Sequence, residues 1–105
     1  MEEWKDIKGY EGLYQVSSEG KIRSLGRYRV YKDGRRQYWK GRNLIPWKAG
    51  KGYLQVSLWN GDKERKTYIH QIVAETFIPN PLGLKKIAHK DSNRTNNRAD
   101  NLGWV

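Results

Sequence analysis

From residue 53 to residue 59 the side chains alternate without a break, Leu54, Val56 and Leu58 on one face and Tyr53, Gln55, Ser57 and Trp59 on the other. A period of two belongs to a β-strand, because successive Cβ atoms leave opposite faces of the pleat. Asn60-Gly61 then predicts a tight turn toward a partner strand over residues 65–68. A strand with one apolar face has to bury it against another element. The helix that can do so follows at once: Ile69, Ile72, Val73, Thr76 and Phe77 recur at three- and four-residue spacing. The spacing predicts a helix between Thr67 and Ile78, with Thr67 as N-cap and Pro79 and Pro81 ending it. The strand face and the helix face together are expected to form the core, with Phe77 inside it. His70, beside Ile69 in this helix, reads as a packed or hydrogen-bonded structural histidine.

The rest of the chain is cut into short runs by Gly and Asn, without repeats or low-complexity tracts. Residues 13–16 and 21–25 flank Ser18-Glu19-Gly20, an opening hairpin. Residues 28–31 and 37–39 flank Asp33-Gly34, where a primed turn is expected. Residues 85–90 read as a strand, 91–101 as a polar, Asn-rich loop and 102–105 as a returning strand. The fold class is therefore α+β: short antiparallel strands and hairpins with one amphipathic helix. At 105 residues and 36% hydrophobic content, one compact domain over 1–105 is expected, with a binding part at 1–66 and a second part at 67–105.

Charge narrows the partner. Residues 1–20 carry −3, residues 67–105 carry +2, and residues 21–66 hold fourteen Lys and Arg against three acids, or +11. Tyr28, Tyr31, Tyr38, Trp39, Trp47, Tyr53 and Trp59 are interleaved with those cations. Long basic side chains beside a packed aromatic surface suit an anionic polymer, and nucleic acid is the obvious one. Arg27, Arg29, Lys32, Arg35, Arg36, Lys40, Arg42, Lys48 and Lys51 are the candidate contacts. A membrane surface is not expected, because these cations lie on no amphipathic helix and no apolar run reaches the roughly 20 residues of a span. The absence of Cys, with only two His, excludes a disulfide framework and a four-ligand Cys/His zinc site.

The C-terminal third carries a distinctive pattern: Ile69-His70-Gln71-Ile72-Val73-Ala74-Glu75-Thr76-Phe77-Ile78-Pro79-Asn80-Pro81, then Ala88-His89-Lys90-Asp91-Ser92-Asn93-Arg94-Thr95-Asn96-Asn97, then Asn101-Leu102-Gly103-Trp104-Val105. This pattern resembles phage HNH homing endonucleases. The front, Glu3-Trp4-Lys5-Asp6-Ile7-Lys8-Gly9-Tyr10-Glu11-Gly12-Leu13-Tyr14-Gln15-Val16-Ser17 followed by Gly20-Lys21-Ile22-Arg23-Ser24-Leu25, resembles the nuclease-associated modular motif that commonly precedes that nuclease.

The resemblance implies a ββα-metal nuclease acting on double-stranded DNA, by nicking or cutting, with one divalent ion, Mg²⁺ or Mn²⁺ with Zn²⁺ as the alternative. His89 matches the general base and Asn101 the middle Asn that braces the loop. A base of pKa near 7 is what phosphodiester hydrolysis at neutral pH requires. Two departures predict an incomplete metal site. Ala88 stands where the family usually has Asp or Asn, and, with the chain ending at Val105, the helix bearing the last ligand is expected to be missing or supplied by a partner chain. Asp91 is the weak remaining metal candidate, more in keeping with an Asx turn, and Ser92 replaces the usual Gly. The expected location is the cytoplasm of a phage-infected or prophage-carrying host. The alternatives to an active nuclease are a non-catalytic DNA-binding relative, one part of a split nuclease, or a protein that binds another factor through its aromatic surface.

Overall fold

The computed structural model describes residues 2–105, the side chain of Arg29 excepted. Strands β1 (Trp4–Asp6), β2 (Tyr14–Ser17) and β3 (Ile22–Ser24) form an antiparallel sheet in that order, the opening hairpin being β2–β3. Its turn closes because Ser17 Oγ accepts the backbone N–H of Glu19 and of Lys21 (3.2 and 3.1 Å) while Gly20 takes φ +86°. A side chain at Gly20 would be strained there and would also meet the Asn97 carbonyl oxygen at 2.7 Å.

Strands β4 (Arg27–Val30) and β5 (Arg36–Trp39) form the second hairpin. Its turn differs from the primed two-residue form. Tyr31 N–H donates to the Arg35 carbonyl and Gly34 N–H to the Tyr31 carbonyl, and Asp33 does not have positive φ. The loop is thus the three residues Lys32-Asp33-Gly34 with only Gly34 left-handed (φ +86°), the bulged alternative that one left-handed glycine allows.

Strands β6 (Trp47–Lys48), β7 (Leu54–Asn60) and β8 (Lys63–Tyr68) make a second three-stranded sheet, with a short 3₁₀ turn at Gly50–Gly52 between β6 and β7. Asn60 pairs with Lys63, so the turn residues are Gly61-Asp62, one step beyond the expected Asn60-Gly61. Gly61 alone has positive φ (+66°), as a type II′ turn requires at its first position. Residues 66 and 67, where the two parts of the chain were expected to meet, lie within β8.

The one α-helix among the described residues, α1 (Ile69–Phe77), leaves β8 directly. Its N-cap is Tyr68, which has no side-chain capping bond; Thr67, expected in that role, is the buried penultimate residue of β8. The strand holds Thr67 in the ladder opposite Val56, too early to cap a helix that starts two residues later. Strands β9 (Ile87–His89) and β10 (Leu102–Trp104) pair antiparallel, and Trp104 Nε1–H donates to the Ile78 carbonyl just past the helix (3.1 Å).

One buried cluster joins these pieces: Ile7, Tyr14, Val16 and Ile22 from the front, Val56 and Leu58 from β7, Ile69, Ile72 and Val73 from α1, and Leu102 from β10. The strand face and helix face meet as expected, but Leu54 and Phe77 are only half-buried at the edge. The Lys5 ammonium stands over the Phe77 ring, 5.1 Å from its centre. The architecture is α+β, with the core centred on α1 and the β4–β5 hairpin outside it.

Candidate functional site

The basic surface is assembled from exposed side chains. Arg27, Lys32, Arg35, Arg36, Lys40, Arg42, Lys48 and Lys51 are all exposed; Arg29 is on β4, its side chain lying outside the described residues. Arg27, Lys40 and Arg42 share a cleft of about 1080 Å³ with Tyr28, Trp39, Trp47 and Trp59. Lys32, Arg35 and Arg36 sit at the hairpin tip, apart from that cleft. Asp33 reduces the tip charge: its carboxylate accepts from Arg35 Nε at 2.6 Å. Tyr28 and Tyr38, opposite each other in the ladder, stack at 5.1 Å and stiffen a hairpin that buries little else. Lys51 is elsewhere, in the 3₁₀ turn, where its carbonyl accepts from the Arg94 guanidinium.

The second locus is His89, the last residue of β9, paired with Leu102. Its Nε2 lies 2.9 Å from Asn97 Oδ1, and Asn97 is buried. The Tyr53 ring faces the imidazole at 5.8 Å, and His70 approaches it edge-on at 5.3 Å. Tyr53 in turn carries the Arg94 guanidinium on its face at 4.9 Å, a contact that spacing alone did not single out. His70 is packed, as its place on α1 suggested, against Tyr53 and Tyr68 at 4.9 and 5.3 Å. Burial and, second, the proximity of His89 push its pKa from 6.5 down to about 4, so it is neutral near pH 7.

The loop between β9 and β10 is built from side-chain hydrogen bonds. Asn101 is buried and donates from Nδ2 to Asp91 Oδ1 and to the Asn96 carbonyl, both at 2.9 Å, while its Oδ1 accepts the Asp91 N–H. Asp91 also accepts from Asn93 N–H (2.8 Å) and Asn96 Nδ2 (2.8 Å). The Asn96 side chain, the Asn93 backbone and the Asn101 side chain, in that order, hold the Asp91 carboxyl below its usual range. Because β9 ends at His89, Asp91 lies in the turn and not on the strand face of His89. Ser92 adopts φ +62°, the left-handed conformation glycine tolerates best, and the loop closes around it with Ser92 N–H on the His89 carbonyl.

These residues do not by themselves make a metal cage. Ala88 has no donor, Asp91 has both oxygens engaged by the loop, and among the described residues no three His, Cys, Asp or Glu side chains converge. Nor, among the described residues, is any helix long and apolar enough to cross a membrane.

Comparison with known proteins fits this geometry. The NUMOD4 motif matches residues 2–59. DNA endonuclease I-HmuI of Bacillus phage SP01 is 38% identical over 98% of this chain and 52% of its own length. An uncharacterized HNH endonuclease of Acanthamoeba polyphaga mimivirus is 31% identical over 97% of this chain and 26% of its own. The solved structure describing DNA binding and cleavage by the HNH homing endonuclease I-HmuI superposes with a TM-score of 0.77, again over 98% of this chain and 52% of that one. The chain spans about half the length of the phage relative and about a quarter of the mimivirus one. Nothing in these relatives supports a separate partner chain.

Proposed function

The chain belongs to the NUMOD4-motif family, and from that premise we propose that it acts on double-stranded DNA as an HNH-type endonuclease, the basic hairpin and cleft holding the duplex and His89 serving as general base. The observation that carries this reading is the held imidazole: His89 ends a strand, is fixed at Nε2 by a buried amide, and borders a loop braced by Asn101. In phosphodiester hydrolysis the base removes a proton from the attacking water as its oxygen bonds to phosphorus, and the bond to the leaving ester oxygen breaks. Near neutral pH an imidazole is suited to that transfer. His70, held neutral, adds no competing positive charge beside it. HNH nucleases generally use a divalent ion to offset charge on the phosphate oxygens.

Ala88 favours a second reading, a DNA-binding relative without catalysis, since its methyl replaces a donor next to the base. Nicking of supercoiled plasmid with and without Mg²⁺ or Mn²⁺ separates the two. The nuclease reading expects metal-dependent nicking that His89→Ala lowers by about 10²–10⁴-fold while DNA affinity persists. DNA binding without nicking in either metal supports the second reading, and nicking insensitive to His89→Ala removes His89 from the mechanism.

A further inference from the structure

The Asn-rich loop contains one amide whose position the brace does not explain. Asn97 is 3% exposed, and its Oδ1 bonds no backbone group of its own loop but meets His89 Nε2 at 2.9 Å. Its Nδ2 has no hydrogen-bond partner among the described residues. A buried, half-satisfied amide is a poor choice for stability, so the residue is better understood through the one bond it makes.

We infer that Asn97 is a positioning residue that fixes the tautomer of His89: its Oδ1 accepts from Nε2–H, which leaves the lone pair on Nδ1 as the only proton acceptor of the neutral ring. The two ring nitrogens are chemically distinct, and whichever is engaged as a donor cannot act as base. An unconstrained imidazole would divide between tautomers and between ring orientations. Here the plane is also confined by Tyr53 at 5.8 Å and by the edge contact of His70 at 5.3 Å.

The backbone that carries this amide is packed against a turn distant in sequence. Gly20, in the β2–β3 turn, lies so close that an added Cβ would stand 2.7 Å from the Asn97 carbonyl oxygen and 3.0 Å from its Cβ. Two residues on, the Ala99 N–H donates to the Ser18 carbonyl of the same turn at 2.8 Å, and Arg98 pairs with Glu19 at 3.6 Å. The front motif is thereby docked on the segment that orients the base.

The inference rests on His89 being the base, but its test does not depend on cleavage. Two-bond ¹H–¹⁵N correlation spectra of the full ¹⁵N-labelled chain, at about pH 8, report which ring nitrogen is protonated; His70→Gln assigns the two histidines. The expected spectrum has His89 as the Nε2–H tautomer, with a mixture in Asn97→Ala and the Nε2–H form restored in Asn97→Asp, which keeps an acceptor oxygen. An Nδ1–H tautomer in the unsubstituted chain overturns the inference even if no variant folds, and so does an unchanged tautomer in Asn97→Ala. Where nicking is measurable, Asn97→Ala should lower the rate at saturating DNA roughly 10- to 100-fold without weakening binding, as loss of an orienting partner does. A His89→Ala chain that still nicks at full rate would refute the base while leaving the tautomer result standing.

Discussion

The β4–β5 hairpin and the β9–β10 loop are both rich in polar side chains, yet they are built on opposite plans. The hairpin has a regular backbone ladder with its described side chains exposed. The loop has little regular structure between His89 and the short 3₁₀ turn at Ala99–Asn101, and its order comes from Asp91, Asn93, Asn96 and Asn101 bonding to one another and to the backbone. A surface that meets a polyanion needs charge density more than fixed orientation, since phosphate attraction is long-ranged and sequence-independent. A base needs its lone pair aimed within a fraction of an ångström. Under the function proposed above, the contrast between solvated charge on a regular ladder and tightly bonded side chains on an irregular backbone matches those two demands.

Reversing Lys32, Arg35, Arg36 and Arg42 to Glu presses the comparison hardest. Duplex affinity should fall about 10²–10³-fold, and the slope of log K against log salt, near −5 for roughly six neutralised phosphates, should become shallower by about one for each phosphate that no longer has a cation beside it. Thermal stability should hardly move, because none of the four side chains is in the core. Unchanged affinity in a fluorescence titration would remove the hairpin from the DNA surface.

Asn101→Ala attacks the loop instead. It deletes three hydrogen bonds and leaves the Asp91 N–H and the Asn96 carbonyl without this partner, at a cost of roughly 2–4 kcal/mol in urea unfolding. DNA affinity should be retained by the folded fraction. A change of less than about 0.5 kcal/mol would show that the loop is held by its docking on the β2–β3 turn rather than by its own amides.

Phe77→Ala tests the footing beneath the loop. Full burial would make this a roughly 3–5 kcal/mol change; half-buried under Lys5, at the edge of the core, Phe77 should cost about 1–2 kcal/mol. The loop should loosen with it, because Trp104 is tied to Ile78, while the hairpin should not respond. Hydrogen exchange at both sites is the direct check.

The smallest effect is in pH. The folded-state pKa of His70 is depressed from 6.5 to about 4, so the unfolded chain takes up this proton first as pH falls. The contribution of His70 is therefore present above about pH 6.5 and lost progressively toward pH 4. Discounted for partial exposure, it amounts to on the order of 1 kcal/mol. Urea midpoints measured across that window should lose this component in His70→Phe; an identical pH profile would place the titration elsewhere.

Much of this was legible in the chain. The alternation at residues 53–59, the 3.6-residue stripe of α1 and the glycine turns fix elements because each is dictated by neighbours two to four positions away. The block of +11 points to a polyanion for a similarly simple reason, since charge acts wherever the side chains are exposed. His89 and Asn101 stand out only through the resemblance to the HNH motif, whereas the turn at Asp91 follows from local Asx chemistry. Registers slipped where a local choice was nearly degenerate: Gly61-Asp62 instead of Asn60-Gly61, a bulged loop at Asp33-Gly34, Tyr68 instead of Thr67 at the helix start. Other features depended on packing between distant segments. That Tyr53 and His70 border His89, that the Asn97 amide faces its Nε2, that Gly20 backs Asn97, and that Phe77 stops at the rim were decided only when α1 brought the sheets together around one core. Residues 20 and 97, or 53 and 89, leave no periodic trace of their proximity, because their separation in space is set by the packing of every element between them.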